Sequence, residues 1–535
     1  VKLGADAEEV ERHPAIALLL PVLFFLGLAA SPFALAVGGV KDSAKAEFRR
    51  STPFPNLAWS TEAIDGFPAG FEAWYRDAFG LRTELIKAYN WSSAIALGES
   101  PTPKFVIGKD RWIFHDEGGA VDTFRGVLPF SHDELEQWRA VLEQRSAWLA
   151  SRGTTFLYAP IPSKLEVYPE QLPDHIRRLG VSRRTQLLQH LAQTSSVATL
   201  DLLPVLVAAK SNDEPSRHAY FPYGVHWTNL GARPACEAIA ERLRELGVAA
   251  VSPGSLDDYK IVAARGPLDS LASRLHLQDY FTATESVLRP KMSPKAEKVP
   301  WKGRRHREDT MWIGTDDALP TVAVYHDSFG IWALPILANS FGKTYALRHL
   351  HFEPGEIAEL APDVVVQLQT ERRLVSQLPM LLAGMGDDEF AAAFRGSDDV
   401  RLRLPLGEPL PFLPPFEDGT VEPLGSPGSQ ALRVDVRSGA AVVLTPTFDP
   451  AMSDGHLVLQ LDLEAAAPGP AQLFFQTKAD PQFITPRFYP FTMKKGRHTY
   501  HVPLSYRSML GQLGIRFGSQ PGLYTIHGLE VRAVD

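Results

Sequence analysis

Between Pro405 and Pro427 the chain carries seven prolines in "PLGEPLPFLPPFEDGTVEPLGSP". Proline locks φ and offers no backbone N–H, so a run this dense reads as a stiff linker or a covering loop. It parts two textures. Upstream, short apolar runs alternate with helical patterns. Downstream, apolar and polar residues alternate between turn signals. At 535 residues the chain is too long for one core, so a break of this kind is needed. The expected division is a membrane anchor over 1–45, an α/β domain over 55–400, a proline-rich linker over 401–428 and a β-sandwich over 429–535.

The upstream region predicts a mostly parallel sheet with helices on both faces. "SHDELEQWRAVLEQRSAWLASRG" pairs Ser131 with Glu134 as a capping box and ends at Gly153. "TTFLYAP", "VATLDL", "TVAVYHDS" and "DVVVQLQ" read as short buried strands between such helices. Beyond the prolines, "ALRVDVRSG", "HLVLQLDLEAA", "AQLFFQTK", "GRHTYHVPL", "LGIRFGS" and "YTIHGLEVRAV" alternate as sandwich strands do. Phe474, Phe475, Tyr489, Phe491 and Tyr500 supply aromatic surface of the kind that stacks on sugar rings; packing in the sandwich core is the other reading of the same residues.

Residues 15–40, "AIALLLPVLFFLGLAASPFALAVGGV", hold no charge and are long enough for a membrane-spanning helix. A cleaved signal peptide competes, because "ALA" at 34–36 resembles a cleavage site; the length of the run favours an uncleaved anchor. A net charge of −8 argues against nucleic acid as a partner. The single cysteine, Cys236, excludes an intrachain disulfide and a cysteine-based metal cage. Its alanine-rich helical surroundings read as core.

Chemistry concentrates at two turns. "TVAVYHDSFG" places Ser328 where a strand runs into a helix, the carboxyl end at which open parallel sheets bind ligands. The serine is either a nucleophile or a helix N-cap. "FPYGVHWTNLGARPA" puts His226 and Trp227 directly before another helix start, where the histidine can serve as base. His349 and His351 in "RHLHF" share a face, yet two ligands do not make a metal site. His306 in "KGRRHRED" reads as a solvated basic loop.

"GVHW" and "HDSF", in that order, together with "FEAWYRDAFGLRTELI", "FVIGKDRWIFH", "PSKLEVYPEQLP" and "PDVVVQLQTER", resemble the SGNH-like acetyltransferase domain of the alginate O-acetylation proteins AlgJ and AlgX. The resemblance covers residues 55 to 375. It implies an SGNH-hydrolase-like fold with Ser328 as nucleophile and His226 as base. The implied protein is anchored in the inner membrane of a bacterial envelope, with its catalytic domain periplasmic. It O-acetylates a polysaccharide acceptor, takes acetyl from a membrane-bound O-acyltransferase partner, and needs no metal or other cofactor. Lys164, in the "PSKLEVYPE" loop, is a candidate contact to an anionic polymer, with a solvated surface lysine as the other reading. A carbohydrate-binding role for the sandwich is implied likewise. Two positions depart from the family: His326 replaces the glycine of the serine motif, and Gly224 replaces the acid two residues before the histidine. The missing acid leaves three alternatives: another carboxylate, a Ser–His dyad, or a degenerate site in a binding or assembly subunit. Deacetylation by the same residues, with water as acceptor, is the rival activity.

Overall fold

In this computed structural model the described residues are 21–22, 24–26 and most of 52–534, the larger gaps falling at 211–216, 377–386 (apart from 381), 414–417, 425–430, 452–455, 478–487 and 505–508. Residues 15–40 lie almost wholly outside them. Among the described residues no helix is long and apolar enough to cross a membrane.

The α/β region is built on a six-stranded mixed sheet. Its strands are β1 (Thr155–Ile161), β2 (Ala296–Val299), β3 (Thr310–Gly314), β4 (Thr321–His326), β5 (Lys343–Leu347) and β6 (Val364–Thr370), in the order β1-β6-β4-β5-β3-β2. The first four in that order are mutually parallel, and at one edge β3 pairs antiparallel with both β5 and β2. Strands covered on both faces read as continuous apolar runs, and every residue of β6 is buried. The helices that matter below are α1 (His132–Ala150), α2 (Asn229–Glu245), α3 (Gly330–Leu337) and α4 (Pro354–Leu360). Helix α1 begins with the expected capping box: Ser131 Oγ accepts from Glu134 N–H while Glu134 accepts from Ser131 N–H. One core lies between the sheet and α2 and α3, with Cys236 inside it; the other lies between the sheet and α1. "VATLDL" does not form a strand. It touches β1 through a single parallel bridge at Thr199.

The C-terminal region has two antiparallel sheets. One contains β7 (Val400–Arg403), β8 (Gly419–Pro423), β9 (Leu432–Val436), β11 (His456–Ala465), β14 (Gly496–Leu504) and β16 (Gly522–Val534). The other contains β10 (Val443–Leu444), β12 (Gly469–Thr477), β13 (Phe488–Met493) and β15 (Met509–Phe517). Their facing apolar residues make one core.

The proline-rich stretch is not a linker. Strand β8 pairs with β9, Phe412 bridges to Val443, and Leu404, Leu410 and Val421 are buried in the sandwich core. Strand β8 is the outermost in its sheet and Pro423 is its last residue, a place where a missing N–H costs little. Helix α5 (Asp387–Gly396) also belongs here, packing Phe390 and Phe394 against Val458 and Val534. The sandwich thus begins well before residue 429. Of the five aromatics that could stack on sugar or pack in the core, Phe474, Phe475, Tyr489 and Phe491 are buried, and Tyr500 is half-buried against Phe491. Phe475, Tyr489, Phe491 and Tyr500 belong to or pack against the sandwich core, whereas Phe474 packs with Val442 and Phe488 in a separate cluster.

Candidate active site

Strand β4 ends at His326, and the chain turns through Asp327, Ser328 and Phe329 into α3. Asp327 holds this turn. Its Oδ1 accepts from Phe329 N–H at 3.0 Å, and its Oδ2 accepts from the N–H and hydroxyl of Thr370, at the end of β6, at 3.1 and 2.6 Å. Ser328 is therefore presented at the carboxyl edge of the parallel strands by a carboxylate that is itself fully used. Helix α3 has no side-chain cap; the residue at its N-cap is Phe329. Ser328 Oγ instead lies 2.8 Å from His226 Nε2. The capping alternative fails on that geometry.

His326 occupies the position where the family has glycine. Its ring is buried, its Nδ1 lies 2.6 Å from the carbonyl of Asp327, and burial lowers its pKa to about 4. Gly330 makes the room: a Cβ there would sit 2.2 Å from His326 Nδ1. The bulk lost at one position of the turn is gained at the other.

His226 arrives on the loop before α2. Thr228 caps that helix by accepting from Gly231 N–H, and Trp227 Nε1–H donates to the Phe329 carbonyl at 2.9 Å. The His-Trp pair is thus bonded directly to the serine turn, and the His226 ring packs 4.8 Å from that of Phe329.

The missing acid is supplied by Asp269, which the sequence reading did not identify. Its Oδ2 lies 2.9 Å from His226 Nδ1 and also accepts from the backbone N–H groups of Val225 and His226, at 2.7 and 2.9 Å. Burial opposes ionisation of this carboxyl, but the His226 ring and the two backbone donors outweigh it and hold the pKa below the usual value. Gly224 now has a physical reason. A Cβ at this position would meet Asp269 Oδ2 at 2.3 Å, so the space of the family's acid is filled by a carboxylate from elsewhere in the chain.

Asp269 sits between the strands of a small antiparallel hairpin, Tyr259–Ala264 with Glu285–Pro290. Asn229 of α2 clamps that hairpin through two bonds to the backbone of Leu288. Leu271 N–H donates to the Tyr223 carbonyl, and Glu285 accepts from Leu268 N–H. These bonds fold the intervening segment back over the histidine loop. A lone aspartate in "RGPLDSLAS" carried no spacing signal; the empty Cβ position at Gly224 was the only local hint.

Lys164 does not face a substrate. It is 5% exposed, and its ammonium donates to the carbonyls of Ile113, Phe221, Pro222 and Gly224. Burial pulls its pKa down to about 7, with Asp269 pulling the other way. Three of those four carbonyls belong to the loop that leads into His226. Lys164 therefore ties down the loop that carries His226, and its ammonium is taken up by these carbonyls.

Hydroxyl, imidazole and carboxylate stand in series from Ser328 through His226 to Asp269. Ionised Asp269 fixes the proton on Nδ1, which leaves Nε2 as acceptor for the serine proton. Ser328 and His226 are half-buried, so the pair is reachable.

Residues 105–323 match the family model described as ALGX, SGNH hydrolase-like domain, acetyltransferase AlgX, a span that holds His226 and Asp269 and stops short of Ser328. The chain is 28% identical over 206 residues to the probable alginate O-acetylase AlgJ of Pseudomonas aeruginosa, covering 35% of this chain and 48% of that protein. It is 24% identical over 296 residues to the protein of the same name from Pseudomonas syringae, covering 52% and 68%. The chain thus spans about half the length of the first of these relatives. Among solved structures, Pseudomonas aeruginosa AlgX aligns with a TM-score of 0.39 and 14% identity, over 84% of this chain and 99% of that one. The family match and the two AlgJ relatives show the resemblance to the SGNH-like alginate O-acetylation proteins.

Proposed function

We propose that this protein is a polysaccharide O-acetyltransferase working through a serine-linked acetyl intermediate. The observation that carries the reading is the unbroken series Ser328 Oγ, His226 Nε2 and Nδ1, Asp269 Oδ2, with both links between 2.8 and 2.9 Å. In the first half-reaction Ser328 Oγ attacks the acetyl carbonyl while its proton passes to His226 Nε2, which then protonates the departing group. In the second, Nε2 takes the proton of a sugar hydroxyl, the sugar oxygen attacks the acetyl-serine, and the proton returns to Ser328. Among the described residues the Ser328 N–H donates to nothing, which leaves it open to the oxyanion that forms twice in this sequence.

The relatives' name supports an anionic exopolysaccharide as acceptor. A cleft of about 610 Å³ lies beside His326, walled by Lys298, Trp301, Arg304, Arg307, Glu308 and Arg348, and neither Ser328 nor His226 lines it. Residues 15–40 would anchor the chain, the described domains would lie outside the cytoplasm, and a membrane-bound O-acyltransferase would deliver acetyl. A periplasm-dependent reporter fused to the C-terminus should be active; a reporter active only in the cytoplasm overturns this placement.

The function is tested with an activated acetyl ester and a defined oligosaccharide, following acetylated sugar and free acetate separately. Transfer to sugar exceeding hydrolysis is the expected result. Acetate release unaffected by oligosaccharide would make the protein an esterase, and no turnover of either kind would make it a binding subunit.

A further inference from the structure

We propose that His306, Asp309 and His349 form a binding site for one divalent transition-metal ion of the Zn²⁺ class. One ligand atom from each lies within 4.8 Å of the others. The two histidines were set aside as a solvated loop and as an incomplete pair; folding makes them neighbours. Asp309 immediately precedes β3 and His349 follows β5, and these strands pair with Thr310 opposite Ala346. The imidazoles of His306 and His349 pack with centroids 4.3 Å apart.

The carboxylate between them is held rigidly. Asp309 is 1% exposed; its Oδ1 accepts from Arg348 N–H at 2.8 Å and its Oδ2 from His306 N–H at 2.9 Å. Each oxygen keeps a second lone pair. Outer carboxylates stand behind both rings: Glu356 Oε2 lies 3.3 Å from His349 Nε2, and Glu353 Oε1 lies 3.3 Å from His306 Nε2. Metal-bound histidines usually carry such a carboxylate on the nitrogen away from the metal, where it fixes the tautomer and raises basicity.

Charge supplies the independent argument. Glu356 is 2% exposed and, apart from its approach to His349, its carboxylate accepts no hydrogen bond among the described residues. Asp309 is equally buried. Among the described residues neither is paired with lysine or arginine, and the Arg348 guanidinium is directed to Glu308 at 3.0 Å. Two buried carboxylates facing two imidazoles are short of positive charge, which a bound dication would provide. Two nitrogens and one oxygen suit Zn²⁺ far better than Mg²⁺ or Ca²⁺, which prefer oxygen alone. Ligands on a Zn²⁺ tetrahedron stand about 3.4 Å apart, so the site closes by roughly 1 Å on binding. His306, on the exposed loop, is free to make that movement. An ion here would tie the loop before β3, part of the cleft wall, to the loop after β5. The site excludes Ser328 and His226, so it stands or falls separately from the proposed activity.

The test uses untagged, metal-stripped full-length protein titrated with Zn²⁺ against a competing chelator, with melting temperature followed in parallel. One equivalent should bind and raise the melting temperature, Mg²⁺ should do neither, and Co²⁺ should give the visible absorption of a four-coordinate site. His306→Ala and His349→Ala should each weaken binding at least about tenfold, and Glu356→Gln should weaken it by about 10- to 100-fold through the His349 ring. Should His349→Ala misfold, the exposed His306→Ala decides alone. No Zn²⁺-dependent stabilisation in the wild type, or Zn²⁺ binding unchanged in His306→Ala, overturns the site.

Discussion

At the scale of single residues, the position that defines this protein is Gly224, because its missing side chain is what admits Asp269. Asp269→Asn preserves shape but frees the wrong imidazole tautomer, and an equivalent loss in a serine protease lowers turnover on the order of 10⁴-fold. A loss of that order in acetyl transfer is expected, with the fold intact by circular dichroism. Ser328→Ala and His226→Ala should each abolish transfer, and the double variant should be no worse than either, since the pair acts as one unit. Gly224→Asp should harm rather than help. The new Cβ would crowd Asp269 at 2.3 Å and set two carboxylates side by side. A rise in activity on restoring that acid would mean that Asp269 does not serve His226. Glu285 adds a pH dependence. Burial and the charge of Asp269 raise its pKa from 4.5 to about 7, against the pull of Leu268 N–H. A carboxyl with a raised folded pKa gives its full stabilisation below the unfolded value and loses it as pH rises through the folded one. Melting temperature should therefore fall between about pH 4.5 and pH 7 in the wild type, and Glu285→Gln should flatten that slope. Equal slopes in the two proteins would remove Glu285 from the account.

At the scale of elements, the strands and helices that were legible are those whose pattern is complete within one segment. Strand β6 opens on three valines and is buried along its length because neighbours cover both faces, and α1 carries its own capping box. Strands β2, β3 and β5 were missed: they are short, carry charged or polar residues, and take their conformation from pairing at or near the sheet edge. The proline-rich stretch failed in the opposite sense. Proline density is a reliable sign against a central strand, yet β8 is an edge strand and tolerates Pro423 at its end. A fragment of residues 387–535 keeps α5, β7 and β8, whereas one of 425–535 exposes the apolar surface they cover. The longer fragment should unfold cooperatively at clearly higher denaturant; equal midpoints would mean that these elements contribute no stability.

At the scale of the whole molecule, the α/β region and the sandwich have separate hydrophobic cores, and each should unfold as its own unit. Calorimetry should resolve two transitions. Leu461→Ala, in the sandwich interior, should lower one of them by about 2–5 kcal/mol and leave acetyl transfer unchanged. A single transition shifted as a whole would show the two regions to be one cooperative body. What the sequence determined by itself is whatever short-range pattern encodes: three of the four parallel strands, the sandwich texture, the serine at a strand end and the histidine before a helix. What only the tertiary structure decided is every contact between distant segments. Asp269 reaches His226 across 43 residues, Lys164 reaches the same loop across 60, and His306 meets His349 only because β3 and β5 pair. The physical reason is that a hydrogen bond or a metal ligand needs an atom at a point in space, and periodicity places residues on faces without fixing which distant face will meet them.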